Sequence, residues 1–161
     1  MLEIRKIEQI EKKIDYDFKD KNKLVQAFTT KSYAKEKYDK KIVCESQESY
    51  RTQGDAILKT ILIELVKKNG YETPKEITDA KKELEEKVKL AEIFSFFNIP
   101  QDCFLLGKGE TVSRHLQAET FESLICAMSI DITSKSDEET ANNRIRDYVS
   151  KWFEPHIQKK V

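Results

Sequence analysis

Four carboxylates at helical spacing are the residues of this sequence that could do chemistry. Glu48 and Asp55 lie seven residues, or about two helical turns, apart and therefore share one face of a helix. Glu119 and Glu122 have the i, i+3 spacing that places both on one face of a second helix. Two such helices meeting would form an oxygen-only site for Mg²⁺ or Mn²⁺, which could activate water at a phosphodiester. Since E-x-x-E is common in charged helices, a solvated face is the alternative interpretation.

Two residues within the first of these helices bear on the interpretation. Gly54 costs about 1 kcal/mol relative to Ala inside a helix, and it is tolerated more readily where another backbone passes close by. Arg51 lies one turn before Asp55, so its ordinary role would be a helical salt bridge to Glu48 or Asp55.

The elements that must position these side chains are predicted to be helices. Helical spacing of apolar residues marks segments at about 2–14, 24–28, 45–69, 77–97, 114–132 and 136–152, the last opened by a capping box at residues 136–139. Thr73-Pro74 with Glu76 is a start signal for the fourth of these, and residues 31–41 are expected to be partly loop. Because no strand-like alternation of any length occurs, we predict a single all-α domain, a helical bundle, over residues 1–161.

Composition excludes several functional classes. The 29 basic and 29 acidic residues cancel, which argues against a strongly basic nucleic-acid module and a polybasic membrane binder. No apolar run approaches the ~20 residues that span a membrane, and the charged N-terminal sequence is not a signal peptide. The three cysteines lack C-x-x-C spacing and are interpreted as reduced packing residues. We therefore expect a cytoplasmic protein without membrane partners.

Four segments in the correct order resemble the ribonuclease III catalytic domain. Residues 7–34 are similar to the opening of that domain, and residues 48–58, ESYRTQGDAIL, fall on its signature NERLEFLGDAVL. Residues 105–110, LLGKGE, match its LGKGE turn, and residues 118–127, AETFESLICA, match its second signature, ADxxEALIGA. The resemblance covers nearly the whole chain, from about residue 7 to residue 157.

The resemblance implies an all-helical, dimerising endoribonuclease that uses Mg²⁺, with Mn²⁺ as an alternative, in RNA processing. The implied substrate is double-stranded or structured RNA, cut to leave 5′-phosphate and 3′-hydroxyl ends. By the same resemblance Asp55 and Glu122 are metal ligands, Glu119 stands where the family usually has Asp, and Glu48 is a supporting site residue.

Departures from the family pattern leave two interpretations open. Arg51 stands where the family has a metal-binding Glu, and Thr52-Gln53 replaces an apolar pair that contributes to the dimer surface. In the first interpretation Glu48 substitutes as a ligand, or the other three acids suffice, and the chain cleaves RNA. In the second, Arg51 neutralises the acids, and the chain is a catalytically inactive RNA-binding or heterodimer subunit.

Candidate RNA contacts are basic residues near these motifs. Arg51, Lys31, Lys35 and Lys108 are the side chains we expect to meet phosphates, with Lys37 as a further candidate; an ordinary surface charge is the alternative for each. The sequence ends at Val161, where the family's double-stranded RNA-binding domain would begin. We therefore expect weak, salt-dependent RNA binding, with action on structured RNA or a protein partner that supplies affinity as the two alternatives.

Overall fold

The computed structural model describes residues 2–160, and within them the architecture is all-α, as predicted. The helices are α1 Ile4–Ile14, α2 Lys21–Ala27, α3 Lys31–Asp39, α4 Glu48–Lys68, α5 Pro74–Glu85, α6 Lys87–Ser95, α7 Arg114–Ser134 and α8 Glu138–Phe153, with short 3₁₀ turns at Gln101–Cys103 and Glu154–His156. Within this range the only β pairing is an isolated bridge between Thr29 and Leu105. No helix found there is long and apolar enough to cross a membrane.

Helix α7 forms the centre of the fold. Helices α2, α4, α6 and α8 all pack against it. Its buried side chains point in nearly all directions and include Phe121, Leu124, Ile125 and Met128, each without solvent exposure. A helix that is apolar nearly all round must be enclosed by others, which explains its central place. The acids at 119 and 122 are therefore carried by the most enclosed helix.

The segment at residues 31–41 differs from its prediction, because residues 31–39 form helix α3. The hydroxyl of Thr30 caps the helix by accepting a hydrogen bond from the backbone N–H of Tyr33. Helix α3 buries none of its residues, so it has no apolar stripe for a sequence pattern to reveal. The N-cap is what the sequence interpretation missed at this point.

The predicted helix at residues 77–97 is interrupted at Glu86, whose backbone is extended, with φ −62° and ψ 142°. Leu84 and Leu90 are both buried, although six residues place them about 120° apart around a continuous helix. The break at Glu86 redirects the chain so that both side chains reach the core. The predicted start of α5 is confirmed, since Thr73 and Glu76 form a reciprocal capping box.

Two buried carboxylates hold the loop between α1 and α2. Glu11 accepts hydrogen bonds from the backbone N–H of Phe18 and from Lys21 Nζ, both at 2.6 Å. Asp131 on α7 accepts hydrogen bonds from the Tyr16 hydroxyl and from the backbone N–H groups of residues 19 and 20, the latter two at 3.0 and 2.9 Å. The loop is thereby fixed to the central helix.

Candidate active site between helices α4 and α7

Helices α4 and α7 approach each other closely at Gly54. A Cβ atom at this position would lie 1.8 Å from the carbonyl oxygen of Glu122, so no side chain fits there. This contact confirms that another backbone passes close to the mid-helix glycine. Because Asp55 follows Gly54 directly, the same contact places its carboxylate beside that of Glu122.

The carboxyl groups of Asp55 and Glu122 lie close enough for each to shift the pKa of the other. Burial raises the pKa of Glu122 to about 7, with Asp55 acting in the same direction and Lys87 opposing it. Burial also acts to raise the pKa of Asp55, but its contacts with Lys59 and Glu122 hold that pKa below its ordinary value. Near neutral pH Glu122 is therefore the acid of the pair that takes up a proton more readily, and Asp55 stays ionised.

An open pocket surrounds this carboxyl pair. It is lined by Arg51, Thr52, Asp55, Lys59, Glu85, Lys87 and Glu122. The sequence interpretation missed Lys59, Glu85 and Lys87. Lys59 lies 3.0 Å from Asp55 in an i, i+4 pair, a spacing that was visible in the sequence. The break at Glu86 brings Lys87 into contact with Glu122, and no local spacing could have indicated that contact.

Glu119 has different partners from Glu122. Its carboxylate forms an ion pair with the guanidinium of Arg51 and lies 2.8 Å from Nε2 of His115. Arg51 thus pairs with an acid on α7, whereas its spacing predicted a salt bridge to Glu48 or Asp55 within α4. The pairing neutralises Glu119, as the second of the two sequence interpretations requires.

Glu48 lies at the start of α4, away from the pocket lining. Its nearest basic partner is Lys31, with Nζ 3.4 Å from the carboxylate, and both side chains are substantially exposed. The structure therefore brings Asp55 and Glu122 together and gives Glu119 and Glu48 separate partners. Over residues 2–160, no three or more His, Cys, Asp or Glu side chains are grouped to hold a metal ion.

The carboxyl pair nevertheless fits one mode of magnesium binding. Mg²⁺ keeps several of its waters and is commonly held by only one or two carboxylates together with substrate phosphates. Asp55 and Glu122 supply two carboxylates from two rigid helices, at the wall of an open pocket. These two carboxylates are too few to surround the ion with protein ligands alone, so water and phosphate oxygens would complete its coordination.

The predicted RNA contacts on α3 share one surface with the turn at residues 105–110. The turn sits directly on the helix, because Gly107 packs against Ser32 and the backbone N–H of Lys108 donates to Glu36 at 2.6 Å. The side chains of Lys31, Lys35 and Lys108 are all exposed on these elements. Arg51 is separate from them and lines the pocket.

Known proteins with similar sequence or fold point to one family. The chain is 30% identical over 129 residues to ribonuclease 3 of Caldanaerobacter subterraneus subsp. tengcongensis, a likeness that includes 76% of this chain. The chain spans about half of that relative, 54% of its length. No family model matches the chain.

The fold is that of a solved nuclease domain. Two structures of the nuclease domain of ribonuclease III from Campylobacter jejuni, each 24% identical, superpose with TM-scores of 0.71 and 0.69. The first superposition includes 92% of this chain and 99% of the Campylobacter domain. The second includes 91% of this chain and 95% of that domain. One of these structures describes flexibility in the region involved in dimer formation. The chain is thus similar in sequence to a ribonuclease 3 over about half of that protein's length, and it has the fold of a ribonuclease III nuclease domain.

Proposed function

We propose that the chain is an endoribonuclease that cleaves double-stranded or structured RNA at the pocket between α4 and α7. One observation carries the proposal: Asp55 and Glu122 meet there, in a geometry fixed by the backbone contact of Gly54 with Glu122. Two carboxyl groups held this close favour a cation between them. The pocket is open, so a phosphodiester can approach the pair from solvent.

Asp55 and Glu122 are the residues that would hold Mg²⁺ or Mn²⁺. The bound metal would activate a water and offset the charge of the phosphodiester, giving 5′-phosphate and 3′-hydroxyl ends. Lys59 fixes the carboxylate of Asp55 from one side, at 3.0 Å. Arg51 and Thr52 line the same pocket and can donate hydrogen bonds to phosphate oxygens.

RNA binding is assigned to the basic surface formed by α3 and the turn at residues 105–110. Lys31, Lys35 and Lys108 point into solvent there and can neutralise phosphates. Because the chain carries no net charge, RNA affinity should be low and should fall steeply with added salt. A homodimer, by analogy with the dimer-forming Campylobacter domain, or a partner protein would extend this surface.

A catalytically inactive RNA-binding or heterodimer subunit is the second candidate function. The ion pair between Arg51 and Glu119 favours this second function. The guanidinium of Arg51 contacts a carboxylate that the family resemblance assigns to the metal. Arginine remains charged at all accessible pH values, so the pair persists.

The experiment that separates these functions is cleavage of an end-labelled duplex RNA at low salt with Mg²⁺ or Mn²⁺. The proposal expects metal-dependent cuts with 5′-phosphate ends, and a rate reduced at least about a hundredfold in Asp55→Asn and in Glu122→Gln. Asp79→Asn is the matched control, since Asp79 pairs with Lys75 on the exposed face of α5.

Folded protein that binds the duplex without cutting it would instead support the inactive subunit. Arg51→Glu is then the informative variant. Cleavage gained by that substitution would identify the arginine as the residue that disables the site.

A further inference from the structure

Acidic and basic side chains balance each other within the pocket. The acids are Asp55, Glu85 and Glu122, and the bases are Arg51, Lys59 and Lys87. The two acids of the carboxyl pair each contact one lysine: Lys59 lies 3.0 Å from Asp55, and Lys87 forms an ion pair with Glu122. The charge that would attract a divalent cation is therefore already compensated by the protein.

Lys87 and Glu122 differ in how freely their side chains can move. Glu122 is 2% exposed, and its backbone is pressed against Gly54. Lys87 is the first residue of α6, and its side chain is 43% exposed at the mouth of the pocket. Rotation of its flexible four-carbon stem can carry the ammonium into solvent while the carboxylate stays in place.

We propose that Lys87 is a tethered counter-ion that covers Glu122 in the free protein and transfers to an RNA phosphate when substrate binds. This inference rests on the proposed function, since it needs Asp55 and Glu122 to hold the divalent cation. An ammonium and a divalent cation repel each other strongly when both contact one carboxylate. The free protein therefore binds the metal weakly, and RNA strengthens metal binding by drawing Lys87 away.

Thermodynamic linkage makes the effect reciprocal. If RNA raises the affinity for the metal by some factor, the metal raises the affinity for RNA by the same factor. Lys87 is thus a positioning residue that acts through Glu122, and it couples metal loading to the presence of substrate.

The test is equilibrium binding of Mn²⁺ to the full chain, measured by electron paramagnetic resonance. We expect Lys87→Gln to bind Mn²⁺ at least about tenfold more tightly than the unmodified protein. Lys82→Gln removes the same charge from the exposed side of α5, outside the pocket lining, and should leave Mn²⁺ affinity unchanged. Adding Glu122→Gln to the Lys87 variant should abolish its gain.

A second measurement adds duplex RNA whose backbone resists hydrolysis, such as a phosphorothioate duplex, and a gel confirms that it is intact when the spectrum is recorded. RNA should raise the Mn²⁺ affinity of the unmodified protein about tenfold and that of Lys87→Gln by much less.

The possible failures are distinguishable. Equal Mn²⁺ affinity of the unmodified protein and Lys87→Gln, with RNA cleavage intact, overturns the role of Lys87 and leaves the proposed function standing. Failure of every variant to bind Mn²⁺, with and without RNA, overturns the proposed function and this inference together.

Discussion

Asp131 and Glu122 are two buried carboxylates on the same helix with different surroundings. Asp131 accepts hydrogen bonds from Tyr16 and from two backbone N–H groups, so its charged form is well solvated by the protein. Glu122 meets another carboxyl group and the half-exposed ammonium of Lys87. At the scale of single residues, the partners therefore determine whether a buried acid stabilises the fold or stays available for binding.

Asp131→Asn should destabilise the protein by about 2–4 kcal/mol at pH 7, because it leaves buried donors without a full acceptor. Burial acts to raise the pKa of Asp131, yet the hydrogen bonds from Tyr16 and from residues 19 and 20 hold it below its usual value. An acid with a lowered pKa stabilises the fold above its unfolded-state pKa, and this contribution is lost as the pH falls through the folded-state pKa.

Urea denaturation at several pH values checks this prediction. The difference between Asp131→Asn and the unmodified protein should shrink as the pH falls below about 4. Asp39→Asn, at the exposed end of α3, is the control and should show little effect at any pH. A difference that stays constant down to low pH would argue against an ionised Asp131.

Elements rather than residues set the geometry of the pocket. Helices α4 and α7 meet through backbone atoms at Gly54, and the break between α5 and α6 supplies the third wall. The carboxyl pair of Asp55 and Glu122 lies where the first two elements touch. Changes to that helix contact should therefore alter stability and site together.

Gly54→Ala should destabilise the protein by about 2–3 kcal/mol, although alanine is the better helix former. The added methyl group would overlap the carbonyl oxygen of Glu122, at a distance of 1.8 Å. The measurement is chemical denaturation, with Ala56→Gly on the exposed side of α4 as control. That control should cost only the propensity difference of about 1 kcal/mol. Unchanged or increased stability of Gly54→Ala would contradict the observed helix contact.

Sequence patterns predicted the helices that have buried apolar faces, but they missed one exposed helix and one break between two helices. The capping signal at residues 73–76 and the close backbone approach at Gly54 were both predicted and found. Helix α3 was missed because it buries nothing, and the break at Glu86 was missed because apolar spacing continues through it.

The site was predictable only in part. The meeting of Asp55 with Glu122 followed from the family resemblance, and the structure places the two side chains together. Long-range pairs were not predictable from spacing, because they depend on how helices pack. Arg51 with Glu119 and Lys87 with Glu122 are such pairs, separated by 68 and 35 residues in sequence.

One continuous core joins the described helices other than α3. Its aromatic centre contains Phe97, Phe121, Tyr148 and Trp152, with the rings of Phe97 and Trp152 centred 5.1 Å apart. These residues come from the α6 end, α7 and α8, so unfolding of any of these elements should disturb the same cluster.

The chain's single tryptophan makes this testable at the scale of the whole molecule. Urea transitions followed by Trp152 fluorescence and by circular dichroism at 222 nm should share one midpoint, as expected for a single domain. Two separated midpoints would show that part of the chain folds independently of the aromatic centre.

The contact between Gly54 and the carbonyl oxygen of Glu122 has a consequence for how such a protein changes over time. The main chain, and not the acids themselves, sets the separation of the two helices that carry them. For the proposed nuclease, exchanges at pocket residues such as Arg51 are therefore expected to change activity while the scaffold stays intact, without any rebuilding of the fold.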